Sequence, residues 1–73
     1  MKYMEYETKD FPLVSFLTYL GYSSTMRKEG TVCYFKFSDL KQEDIDSYWN
    51  GTALIEPKQF FFAMNTVKSR VHS

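Results

Sequence analysis

The sequence predicts an α+β fold in which a β-hairpin or three-stranded antiparallel sheet packs against three short helices. Three observations carry this. The run TVCYFKF at 31–37 is dense in strand formers and follows a Glu-Gly turn signal. Two segments place apolar residues at helical spacing behind Pro12 and Pro57. The chain's three glycines all fall where a turn or a helix exit is needed. The 73 residues fit one domain, 1–73, with the order (β)-α-β-β-α-(β)-α.

Tyr3 to Thr8 alternates loosely and reads either as an edge strand or arm, or as a frayed terminus. Asp10 is a natural N-cap, and Pro12 suits a first turn, where its missing N–H costs nothing. Leu13, Phe16, Leu17 and Leu20 then give one apolar face to a helix over 11–20 that stops at Gly21. Tyr22 to Lys28 and Thr31 to Phe37 form the hairpin around Glu29-Gly30. Cys33, Phe35 and Phe37 share its core face, while Val32, Tyr34 and Lys36 take the other.

Asp39, with Gln42 three residues on, resembles a capping box and predicts a helix from Leu40 to Trp49. Its apolar members Leu40, Ile45, Tyr48 and Trp49 are imperfectly spaced, and Asn50-Gly51 ends it. Ala53-Leu54-Ile55 has some strand character. Pro57 opens the last helix, over 57–71, whose core stripe is Phe60, Met64, Val67 and Val71. Lys68, Arg70 and His72 suit its C-terminal end.

Nothing in this pattern marks an enzyme. The single cysteine, Cys33, and the single histidine, His72, lack partners at metal-ligand spacing. No serine sits in a nucleophile elbow, and no glycine is left over for a phosphate loop. No catalytic residue, metal ligand or cofactor is therefore expected. The N-terminus lacks the apolar run of a signal peptide, and no apolar run approaches a membrane span. A lone cysteine fits a reducing compartment, so a cytoplasmic protein is expected.

Nine basic and nine acidic residues cancel, and the signs are mixed along the chain. That is not the footprint of a nucleic-acid binder. Nucleic acid remains the alternative partner, through sheet aromatics and a small basic patch of Arg27, Lys28 and Lys36. Aromatic residues reach 19% of the chain, more than a small core can hide. Rings of this kind favour protein interfaces. The contact candidates are Tyr34, Tyr48, Trp49, Phe61 and Phe62, serving a homodimer or another protein. For Trp49 a core-anchor role, with its indole N–H satisfied, is the first expectation. Of Phe61 and Phe62, one is expected to meet another surface.

The order YETKDFPLVSFLTYLGY, TVCYFKFSD and SYWNGTALIEPKQFFFAMNTVKSRV resembles a family of small bacterial and phage-associated domains of unknown function. The matching positions are Thr8, Asp10, Gly21, Phe35, Phe37, Asp39, Tyr48, Trp49, Asn50, Gly51, Pro57 and Phe60. The Tyr-Trp-Asn-Gly segment is their most specific part. The resemblance implies no activity; it implies an accessory or regulatory protein of phage or mobile-element origin. Glu56, where Asp would cap better, and the Phe60-Phe61-Phe62 run depart from the pattern.

Overall fold

A computed structural model describes residues 3–72. Three strands, β1 (Tyr3–Thr8), β2 (Ser24–Glu29) and β3 (Val32–Lys41), form one antiparallel sheet in the order β1-β3-β2. Three helices, α1 (Phe11–Tyr19), α2 (Gln42–Asn50) and α3 (Pro57–His72), complete the chain. The α+β class and the element order are those the sequence predicts, with Tyr3–Thr8 an edge strand.

The hairpin forms because Gly30 takes a positive φ of 63° at the first of two turn residues, Gly30 and Thr31. No non-glycine residue among those described has positive φ, so the turn needs its glycine at that place. From there Cys33, Phe35 and Phe37 point to the helix side. Phe35 and Phe37 are buried, and Cys33, near the hairpin end, is half-buried.

Two expectations about the second helix are corrected. Residues 38–41 continue β3, because β1 offers them ladder partners: Met4 faces Leu40 and Tyr3 faces Lys41. Asp39 consequently caps nothing; Lys41 is the N-cap of α2, without a side-chain bond. A β-bulge lies between Phe37 and Leu40, where Ser38 and Asp39 together oppose Glu5. The extra residue resets the alternation, so Leu40 is fully buried where strict period two would turn it outward. The segment 52–56 is a connection without strand pairing, against the strand character of Ala53-Leu54-Ile55.

The core joins Phe35, Phe37 and Leu40 of the sheet to Leu13, Val14, Phe16 and Leu17 of α1, Ile45 of α2 and Val67 of α3. Five consecutive α1 residues, Leu13 to Leu17, are buried, so this helix is enclosed on more than the one face predicted. Leu20, predicted to share that face, is instead exposed past the helix end. Asp10 is the N-cap of α1, though its side chain makes no capping bond. Both α1 and α2 end in Schellman pairs. Tyr22 N–H donates to Leu17 O and Gly21 N–H to Thr18 O; Thr52 N–H donates to Ser47 O and Gly51 N–H to Tyr48 O. Gly21 and Gly51 supply the left-handed exits at φ 102° and 71°. Glu56 is a better cap than its type suggests: its carboxylate accepts from Lys58 N–H at 3.2 Å and Gln59 N–H at 2.9 Å.

Long side chains tie the layers together. The Tyr22 hydroxyl donates to Asp44 in the first turn of α2 and accepts from Lys41 N–H at 3.3 Å. Arg70 does more than complement the α3 terminus. Its guanidinium donates to Ser24 Oγ at 2.8 Å and Ser24 O at 2.9 Å, and lies 5.3 Å from the Phe35 ring centroid.

Candidate functional site

Two surfaces are candidates: the open face of the sheet and the stretch of chain from Trp49 to Phe62. The open face carries Glu5 and Glu7 of β1, Tyr34 and Lys36 of β3, and Thr25 and Arg27 of β2. Glu7, Lys36 and Thr25 lie in one cross-strand row. Arg27 crosses β3 above the Tyr34 ring, 4.6 Å from its centroid, and its Nε lies 3.4 Å from Glu7. The same guanidinium bonds Glu29, and these hydrogen bonds, that to Glu29 foremost, raise its pKa further. Lys36 Nζ stands 3.9 Å from Glu5.

The alternative nucleic-acid contacts therefore divide. Arg27 and Lys36 share a face but each has carboxylate neighbours. Lys28 pairs with Cys33 in the ladder and belongs to the opposite, helix-side face. Tyr34 is half-buried beneath Arg27, away from the other four contact candidates.

The second surface follows from how α2 exits and α3 enters. Ile45 is buried and Tyr48 packs on Phe16, with ring centroids 5.6 Å apart. Burial first, and the nearby Asp10 charge second, push the Tyr48 phenol above its usual pKa. Trp49, one helical step on, meets Tyr48 edge to face at 5.0 Å but remains 61% exposed. The core-anchor expectation for Trp49 is thus overturned: Ile45 is buried, Tyr48 is half-buried against the core, and Trp49 is left outside. Gly51 then turns the chain into 52–56. The Glu56 N–H donates to Tyr19 Oη at 2.9 Å, and Tyr19 meets Phe60 edge to face at 6.1 Å. That anchoring leaves Phe60 half-buried on the core, and Phe61 and Phe62 turn outward at 58% and 72% exposed. Both rings, rather than one of them, face away from the core.

Leu54 and Ile55, in the same stretch, are 93% and 42% exposed, and Leu20 at the end of α1 is 41% exposed. Sequence reasoning missed these three aliphatic residues. The signal was the pair of Schellman glycines, which throws the residues just outside a helix into solvent. The one other exposed large hydrophobic side chain among the described residues is Tyr3.

No group of His, Cys, Asp or Glu suited to hold a metal ion occurs among the described residues. No helix among them is long and apolar enough to cross a membrane. Comparison of the chain with family models, curated proteins and solved structures returned no match.

Proposed function

We propose that the chain is a non-catalytic protein-interaction module that pairs with a second copy of itself through the 49–62 stretch. The carrying observation is exposed apolar area. At roughly 200 Å² for each large side chain, the fractional exposures of Trp49, Leu54, Ile55, Phe61 and Phe62 leave about 650 Å² of such surface along the stretch. A standard interface takes about 800 Å² from each partner. The stretch holds only two charges, Glu56 and Lys58, of opposite sign. A two-fold interface sets the same patch against itself, so a balanced patch avoids the self-repulsion of a charged one. An accessory or regulatory role in a phage or mobile element, as the family resemblance implies, suits a module of this kind.

Trp49 is the chain's single tryptophan and its own reporter. Its emission should shift to the blue as concentration rises, in step with a doubling of mass by light scattering. The Trp49→Ser/Phe61→Ser/Phe62→Ser variant should stay monomeric by light scattering with unchanged far-UV circular dichroism. A parent chain that remains a monomer across the dilution series would sink the self-pairing reading.

A further inference from the structure

Away from the 49–62 stretch, a concave surface lies where the hairpin end meets the N-terminus of α1 and the last turns of α3. Two clefts adjoin there, of about 310 and 240 Å³, and share Phe11 and Val71 as walls. Phe11, Val71 and Cys33 are each half-buried, so part of each apolar side chain is left to the solvent side. Either cleft has room for a ring, since a cavity of about 150 Å³ already admits benzene.

The charge around these clefts is one-sided. Lys9 lines the first and Lys68 the second, and neither is lined by an acid. Lys28 belongs to the same end, opposite Cys33 in the hairpin. None of the three lysines makes an ion pair among the described residues. Glu29, the nearest acid along β2, is engaged by Arg27. On a chain of zero net charge, two lysines lining the groove and a third across the ladder from its Cys33 form a local excess.

We infer that this groove binds an acidic peptide segment of another protein, seating a large apolar side chain against Phe11 and Val71 while its carboxylates meet Lys9, Lys28 and Lys68. The three lysines come from the loop before α1, from β2 and from α3. Cations spread over three elements suit charges distributed along a chain better than a single headgroup. The site is separate from the 49–62 surface and stands whether or not that surface pairs.

The test is fluorescence anisotropy with a labelled synthetic peptide of Glu and Asp residues carrying two Phe, with amide NMR shifts to locate it. Shifts should centre on Phe11, Cys33 and Val71. Affinity should fall at least tenfold in the Lys9→Glu/Lys28→Glu/Lys68→Glu variant, and also when the peptide's Phe residues become Ser. If the triple variant does not fold, the parent protein still decides, because binding must weaken steeply as salt rises through the range that screens surface charge. Equal binding of a Lys-for-Glu peptide, salt-independent binding, or shifts confined to another surface would overturn the assignment. So would displacement of the peptide by decanoate at matching concentration, which would make a single carboxylate sufficient.

Discussion

The open face of the sheet and the 49–62 stretch both lack cover, and they meet water in opposite ways. On the sheet face, alternation places Glu5, Glu7, Arg27 and Lys36 outward and cross-strand pairing brings opposite charges together. Of the rings there, Tyr34 is roofed by Arg27, and Tyr3, at the end of β1, is 60% exposed. In the 49–62 stretch no such lattice forms, because the residues sit on a helix end, a connection and a helix start with no common partner strand. Its rings and aliphatic side chains remain bare. A sheet can neutralise an uncovered face internally; a helix-loop-helix edge of this composition leaves its apolar side chains open to water.

The comparison supposes that both regions rest on one core. Phe37 is fully buried beneath the sheet face and against the helix layer. Phe37→Ala should cost about 3–5 kcal/mol by urea unfolding, and a loss below about 1 kcal/mol would mean that the layers are not packed as described. The next effect is smaller. Tyr22→Phe removes the bond to Asp44 and the acceptor for Lys41 N–H, and should cost about 1 kcal/mol.

Tyr22 also gives a pH signature. Its pKa is raised by burial first and by the Asp44 hydrogen bond second. A raised phenol binds its proton more tightly folded than unfolded, so its contribution is complete below about pH 10 and is lost as pH rises through the folded value. Alkaline destabilisation should therefore be shallower in Tyr22→Phe than in the parent, as thermal melts at increasing pH would record.

The two surfaces themselves should respond least as folded monomers. Phe62→Ser, at a mostly exposed site, should change monomer stability by less than about 0.5 kcal/mol while weakening self-association. Arg27→Gln should leave the melting temperature of the parent unchanged and have no effect on association. An Arg27 variant that abolished pairing would exchange the roles assigned to the two faces.

Much of the fold was legible because local rules agreed with the global packing. Gly30, Gly51 and Pro57 each stand where backbone geometry demands them, and Cys33, Phe35 and Phe37 alternate cleanly. The errors came where a distant partner decided. Asp39 and Gln42 imitate a cap, and nothing local reveals that β1 will pair with residues 38–41. The imperfect helical spacing of Leu40 was the trace of its strand membership. Trp49 shares its helical face with Ile45 by spacing alone, so only the position of α1 beside Tyr48 determines which ring is left out. At the site, the aromatic members could be nominated from composition, whereas Leu54 and Ile55 became visible only once the connection was seen to lie outside both helices.

The bulge at Ser38 and Asp39 has a consequence for how this chain can vary in length. Because α2 begins directly after β3 with no intervening loop, the bulge is the phase joint between a period-two ladder and a helical turn. Removing one of its two residues would leave a regular ladder, with Leu40 still opposite Met4 and facing the core, so that β3 and the start of α2 keep their phase. A one-residue deletion at Ser38 or Asp39 should thus be far less damaging than deletion of Lys36 in the same strand, which would turn Phe37 out of the core, although all three positions are exposed.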